Sequence, residues 1–585
     1  MIIDMESRGL KGDREQDATL AVFEALRDCR DRPGAKLVFP QGRYHFRPEL
    51  AVERHLYITN HDQGGTRKIA FPLTGHSGLT IDGQGSEFVF HGSIIPFAID
   101  RCEGIELKRF SIDWERPMFD QGTVVEKGED SFDVRLREGT AYEVKDGKLY
   151  FAYDGGWLPV WGLHDIDPAT MAHAYQSGDR ISWSSFKKLR IDEIGRGLVR
   201  VSGHPRHVPA VGNRIGMRFG RREHPGFFLQ NSSDIRIEQV AVHHAPGMAL
   251  VAQRCADIRL REFDVRLKPG SDRVFTATAD ATHFTNCRGS ITMERCLFEN
   301  QLDDPCNVHG IYSRIERRPA DDALLVKLME PMTKGVAIAE PGDRLNVVAS
   351  DSLLAYGSAT VAGAERINAD YQLIRFRERL PEQLRIGDVV ENATWNPDLT
   401  VRHCTVRANR ARGFLITTPG KVLLEHNTIS APGSAVKISG DASSWFESGA
   451  VRDVTIRDNL FLSSNYCCPD WGKAVIDIDP EIADPEAYGE CYHRNIRIEN
   501  NRFETFDIGL VYGHSVDGFA FRGNRIVRTR DYPMHGYMKH AIQMKAVRNA
   551  DVSGNEAPPE YDSVLLGGTV YSLAEGVRLD GAGDE

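Results

Sequence analysis

The sequence predicts an all-β chain wound as a right-handed parallel β-helix, a solenoid with insertions. Three observations point there. Short segments in which apolar and polar residues alternate recur along the chain, among them SSDIRIEQVAV, CADIRLREFDV, NPDLTVRHCTV, GKVLLEHNTI, VRDVTIRDNLF and VDGFAFRGNRI; period two is the strand signature. Their spacing shares one unit. Ile235 to Ile258, Leu399 to Val422 and Ile496 to Phe519 are each 23 residues apart, while Val422 to Val454 and Val454 to Ile496 are 32 and 42, the same unit lengthened by loops. Finally, Asn427, Asn459, Asn501 and Asn524 stand at matching places after the repeat strand. Such a period fits coils stacked about 4.8 Å apart, with the asparagines forming a hydrogen-bonded ladder in the turns. A leucine-rich repeat is the rival for this period, but the L-x-x-L-x-L-x-x-N consensus is absent.

Along the chain, residues 1–117 read as an N-terminal cap and the first coils. GDREQDATLAVFEALRDC places an Asp before an amphipathic stretch, which predicts a short helix with Leu20, Phe23 and Leu26 on its inner face. An open-ended solenoid needs such a cap on its edge. Residues 118–225 and 315–395 lack the repeat and alternate as GTVVEKGEDSFDVRLREG and DRLNVVAS do, which predicts two antiparallel, barrel-like insertions. Residues 226–314 and 396–585 resume the coils, the latter with a tail.

Composition narrows the function. Of 585 residues, 41% are hydrophobic and 26% charged, as in an ordinary folded protein. A net charge of −11 argues against a nucleic-acid partner, which needs clustered Lys and Arg. No apolar run of membrane-spanning length occurs, so no membrane partner is expected. The ten cysteines are scattered without a CxxC framework and read as buried thiols suited to a reduced compartment. MIIDMESRGLKGDREQD has no basic region followed by an apolar core. The expectation is a cytoplasmic chain, or a secreted or periplasmic one whose signal has been removed. The oligomeric state stays open, a homo-oligomer included.

The chemistry concentrates in NQLDDPCNVHGIY. Asp303 and Asp304 are adjacent, and Asp280 in TATADATHFTNC lies 23 and 24 residues upstream, one coil away. Strict alternation would aim the adjacent pair to opposite faces, so a bend near Pro305 is required. Crowded carboxylates raise the proton affinity of at least one member. An acid and a base flanking one bond are the machinery of glycoside hydrolysis. A Ca²⁺ site and a solvated polar turn are the alternatives at this point. His283 and His309 flank the trio and suit holding a sugar hydroxyl or a carboxylate. Asn307 suits either substrate or the ladder. Arg410 and Arg412 in NRARGF suit sugar hydroxyls or neutralisation of the carboxylates, and Trp445 with Glu447 in GDASSWFESG suits stacking on a sugar and taking its hydroxyls. Arg218, Arg221 and His224, which close the first insertion, are read as structural.

ADATHF, LDD and NVHGIY, followed by NRARGFLITTP and GDASSWFESG, resemble glycoside hydrolase family 110 over roughly residues 10–560. These are β-helix exo-α-1,3-galactosidases acting on terminal galactose, including blood-group-B-type caps. The resemblance implies an oligosaccharide or glycoconjugate with terminal α-galactose as the partner. It also implies an inverting, metal-independent reaction with no cofactor, and Asp280, Asp303 and Asp304 as catalytic. Asp303 is then the general acid, while Asp280 and Asp304 hold and deprotonate the water. Pro305 departs from the small residue expected after the pair and is expected to shift the strand locally. The competing readings are a polygalacturonase, a calcium-dependent polysaccharide lyase and a non-catalytic glycan-binding β-helix. The first lacks its Asn-Thr-Asp, Gly-His-Gly and Arg-Ile-Lys elements here. The lyase would reveal itself by chelator sensitivity, and the binding module by an Asp303→Asn variant that behaves as wild type.

Overall fold

The computed structural model describes residues 1–62 and 64–580. Its body is a parallel β-helix with three strand-bearing faces per coil. On the first face Ile235 pairs with Ile258, Leu399 with Val422, Val422 with Val454, Val454 with Ile496 and Ile496 with Phe519, the register that the spacings predict. On the third face the strands Phe227–Gln230, Leu250–Gln253, Thr282–Thr285, Cys306–Ile311, Phe414–Thr417 and Val436–Ile438 stack in order.

Period-two alternation sends one set of side chains inward. Phe284, Val308, Ile416 and Ile438 are fully buried in the continuous core, while His283, Asn307 and Leu415 stack on the outer side of the same strands. In the first coils the interior is aromatic, with Phe71 on Phe97 and Phe97 on Phe227 at ring distances of 4.3 and 4.9 Å. All ten cysteines are buried and unpaired.

The asparagine ladder is present. The backbone N–H and side-chain amide of Asn427 both donate to Asn459 Oδ1 (2.9 and 3.0 Å), and the pattern repeats from Asn459 to Asn501, Asn501 to Asn524 and Asn524 to Asn555. Each amide also donates to a backbone carbonyl one coil away, such as Asn459 Nδ2 to Leu424 O at 2.9 Å. The side-chain amides of Asn427, Asn459, Asn501 and Asn524 and their backbone N–H groups are thereby satisfied within the protein.

The cap helix spans Thr19–Cys29, and Asp17 Oδ1 accepts from the Thr19 N–H at 3.0 Å. Its inner face differs from the expectation. Val22, Ala25, Leu26 and Cys29 are buried, Phe23 is half-buried and Leu20 is exposed. The helix is rotated toward its small residues, which let it approach the first coil closely.

Two insertions leave the coil path. Strands between Phe119 and Phe219 form a nine-stranded antiparallel sheet around its own core of Val124, Phe132, Phe151 and Met217. Strands between Ser313 and Asn392 close into a six-stranded barrel. The first enters just before a third-face strand, Phe227–Gln230, and the second leaves just after one, Cys306–Ile311. Both therefore border the third face.

Replacing Asn459 with Ala removes two acceptor and two donor contacts from a dry turn. Unsatisfied buried groups cost about 1–3 kcal/mol each, partly relieved by relaxation. Urea unfolding of Asn459→Ala is expected to show a loss of about 2–4 kcal/mol, and a loss below about 0.5 kcal/mol would mean that the ladder is energetically idle.

Candidate active site

Three carboxylates meet where third-face strands begin. The Ala281 N–H donates to Asp304 O and the Thr282 N–H to Pro305 O (2.9 and 3.1 Å), so Asp304 stacks directly on Asp280, an offset of 24. Arg412 stacks on Asp304 in turn, because Cys306 pairs with Phe414. Residues 301–304 are irregular and the strand starts only at Cys306, which frees Asp303 and Asp304 from strict alternation. Gly413 is needed beside Arg412, since a Cβ there would fall 1.9 Å from the Ala435 carbonyl oxygen of the next coil.

The cavity above these strands measures about 340 Å³, near the lower end for small-molecule sites. Asp280, His283, Asp303, Asp304 and Asn307 line its floor, with Arg410, Arg412, Trp445 and Glu447 around them. These are all of the site residues expected from the sequence except His309. That side chain is 2% exposed and sits behind His283, with its Nδ1 committed to the Gly310 carbonyl at 2.6 Å. Asn307 is not in the ladder; its Nδ2 donates to Glu447 Oε1 at 3.2 Å. Asp441 holds the loop that presents Trp445 by accepting from the Ser443 and Ser444 N–H groups (2.6 and 2.8 Å) and from that of Trp445, whose ring is 51% exposed.

Arginines organise the charge. Asp303 Oδ1 accepts from Arg410 Nη1 at 3.2 Å and Oδ2 from Arg222 Nη2 at 3.0 Å. Asp304 accepts from the Arg412 N–H, Nε and Nη2 at 3.0, 3.1 and 2.8 Å. Arg410 is in turn held by Asp179 of the first insertion, its Nε donating at 3.0 Å. Burial works against charge on Arg410, but Asp179 and Asp303 outweigh it and hold the guanidinium firmly charged. The calcium alternative requires free carboxylate oxygens, whereas guanidinium groups occupy those of Asp303 and Asp304.

The three carboxyls differ sharply. Burial would raise Asp303, but Arg410, Arg222 and Arg412 override it and keep its pKa below the usual range. Burial and the Asp303 charge lift Asp304 to about 7 against the pull of Arg412. Burial, then Asp303, push Asp280 well above the ordinary value. A carbonyl only accepts, so His309 Nδ1 carries the proton toward Gly310. His309 Nε2 meets His283 Nε2 at 2.8 Å and lies 3.5 Å from Glu447 Oε1, while His283 Nδ1 meets Asp280 Oδ2 at 2.7 Å. Burial lowers His283 to about 3, consistent with a neutral ring. Of the pair, Asp280 therefore holds a proton more readily than His283 does.

Arg222, Asn60, Met248, Trp183 and Trp471 also line the cavity and were not singled out from the sequence. GMRFGRREHPG carried a signal, since its neighbours Arg218, Arg221 and His224 drew notice. It is Arg222 that reaches Asp303, while Arg218 is buried and donates to the Thr278 carbonyl at 2.8 Å.

Asp304 binds its proton more tightly folded than unfolded, so its contribution to stability is full below about 4 and is lost as pH rises through about 7. Asp304→Asn lacks this dependence. Its stability relative to wild type is expected to climb by about 2–4 kcal/mol between pH 4 and 8, read as the difference in unfolding free energy. A pH-independent difference would place the proton elsewhere. The constant part of that difference carries the loss of a partner for Arg412.

Comparisons with known proteins agree with this architecture. The GLAA-B beta-barrel domain I family matches residues 120–215 and the GLAA-B beta-barrel domain II family matches residues 323–390. The chain is 34% identical over 561 residues to alpha-1,3-galactosidase B of Bacteroides thetaiotaomicron, covering 95% of this chain and 91% of that protein. It is 34% identical over 582 residues to alpha-1,3-galactosidase A of Shewanella woodyi, covering 98% and 93%. It is likewise 34% identical over 597 residues to an alpha-1,3-galactosidase B of Phocaeicola vulgatus, covering 96% of each. With identity sustained from end to end across both insertions and the coils between them, the chain belongs to the α-1,3-galactosidase family, glycoside hydrolase family 110.

Proposed function

We propose that the protein is an exo-acting glycoside hydrolase that releases terminal α-1,3-linked galactose from glycans with inversion, using Asp280, Asp303 and Asp304. The observation that carries this reading is the division of one buried trio into an ionised member and two proton-holding members around a cavity of monosaccharide size.

Position supports Asp303 as the acid. It is the most exposed of the three, at 9% against 4% for Asp280 and 2% for Asp304. Its partner Arg222 lines both this cavity and the cleft leading out of it, so Asp303 stands on the side of the leaving group. Asp280 and Asp304 lie deeper, stacked one coil apart, and suit a water on the opposite face of the sugar. Asp280 meets His283 through Oδ2, which leaves Oδ1 to accept from that water and orient it. Asp304, with a proton affinity near neutrality, takes the water proton.

The arginine field bears on the acid role. In the free protein the proton rests on Asp304 and Asp303 is ionised. The productive arrangement, Asp303 protonated and Asp304 ionised, holds the same number of protons. It becomes accessible when the glycosidic oxygen and sugar hydroxyls draw Arg222 or Arg410 from the Asp303 oxygens. Asp303 then protonates the leaving oxygen as the C1–O bond breaks. Water adds to C1 and its proton passes to Asp304. Because the two arrangements are tautomers, the pH profile reports macroscopic constants of the trio and not of a single residue.

Trp445, Asn307 and Glu447 hold galactose, the indole against its apolar face and the others on its hydroxyls, whereas His283, with both ring nitrogens taken by Asp280 and His309, positions Asp280 and does not meet a hydroxyl. His309 stands behind His283 and holds its ring.

NMR-monitored hydrolysis of Gal-α1,3-Gal in the presence of EDTA is the direct test, and β-galactose is expected as the first product. Asp303→Asn should lose about 10²–10⁴ in kcat on that disaccharide but far less on α-galactosyl fluoride, whose leaving group needs little protonation. Asp304→Asn should fail on both. Equal losses in Asp303→Asn on the two substrates would remove it from the acid role, and α-galactose as first product would overturn inversion.

A further inference from the structure

The galactose cavity opens into a second space that the trio does not use. This cleft, about 490 Å³, shares Trp183, Arg222 and Trp445 with the cavity. Its walls come from both insertions and the coil loops: Pro159, Trp161 and Trp183 on one side, Met332 and Trp445 on the other. Beyond it, Pro159, Trp161 and Trp183 also border a further groove of about 520 Å³.

The chemistry of these walls is specific. Trp157, Pro159 and Trp161 alternate along the strand Gly156–Asp167, so they share its outer face, while Val160 points into the core of the insertion. Trp157 is 47% exposed and Trp183 41%. A row of exposed indoles is costly in water and suits flat ligands with an apolar face and a polar rim. Trp183 is also held in place. Its φ of 53° is in the left-handed region, strained for a bulky side chain. Its ring packs on Trp161 with centroids 4.9 Å apart, and the Arg218 and Arg410 guanidinium carbons lie 5.5 and 5.7 Å from its centroid. Trp161 is fixed beneath by its Nε1 donating to Gly220 O at 2.8 Å and by Arg218 at 4.4 Å. Strain of this kind persists where the surroundings over-determine a side chain, and it clusters at ligand clamps.

We infer that this cleft binds the sugar residues on the leaving-group side of the scissile bond, with Trp183 stacking on the first of them and the Trp161–Trp157 face carrying those that follow. The inference rests on the galactosidase reading above and extends it. Continuity fixes the occupant. A glycan whose terminal galactose lies over Asp303 must leave past Arg222, Trp183 and Trp445, and the surface it meets there is aromatic. Selectivity among glycans with the same terminal galactose is thereby assigned to the first insertion, outside the β-helix itself.

The test compares kcat/KM for the trisaccharide Gal-α1,3-Gal-β1,4-GlcNAc with that for α-galactosyl fluoride, which has no sugar on the leaving side. In Trp183→Ala the trisaccharide-to-fluoride ratio is expected to fall about tenfold or more, and in Trp183→Phe to stay within about threefold of wild type. Thermal unfolding followed by circular dichroism reports that each variant is folded. A ratio unchanged in Trp183→Ala, with the fluoride still hydrolysed, overturns the subsite and leaves the galactosidase reading standing. Wild type inactive on both substrates overturns that reading and the subsite with it.

Discussion

The hydrogen-bond register between coils on the third face is the constraint from which the rest follows. Parallel stacking brings each residue within about 4.8 Å of its counterpart on the next coil. The column it builds here runs Met248, Asp280, Asp304, Arg412. A shift of one residue would turn His283, Asn307 and Leu415 inward and Phe284, Val308 and Ile416 outward. The core thus enforces the register, and the register places two carboxylates and a guanidinium in contact. The asparagine ladder does the same on the turn side. It adds three further bonds per coil step that form only when the stacking is correct.

Burying three carboxylates has to be offset locally. Arg410, Arg222 and Arg412 do so for Asp303 and Asp304, and Asp179 prevents the arginines from becoming an excess of their own. Among the described residues Asp280 hydrogen-bonds His283 and no arginine, and burial raises its proton affinity. The result is a graded set of proton affinities, which acid–base chemistry on one bond requires. It also makes the site a destabilising element that the ladder and the continuous core must support.

The insertions supply what a β-helix alone lacks. Coils present a flat, regular face, and a flat face cannot enclose a sugar. The first insertion brings Asp179, Trp183 and Arg222 over the carboxylate-bearing end of the third face, and the loop before the middle strands of the second insertion brings Met332 to the mouth of the cavity. Trp183 touches the cavity and the cleft at once, so the first insertion shapes both spaces.

The coil period, the ladder and the nearness of Asp280 to Asp303 and Asp304 were legible in the sequence. All three are consequences of a local repeat, and a repeat leaves a period that can be counted. The resemblance to the family likewise lay in contiguous motifs. What only the tertiary structure decided has no period. The offset of 24 that stacks Asp280 on Asp304 depends on the irregular turn before Cys306. The choice of Arg222 over Arg221, and the role of Trp183, depend on how an insertion folds back across 80 or more residues to dock on the coils. The helix face turned inward at Val22 and Ala25 because packing distance, which the sequence does not carry, overrode the larger Leu20 and Phe23. The placement of protons among three aspartates is set by burial and by arginines from separate parts of the chain, and electrostatic fields of that kind exist only once the chain has closed around them.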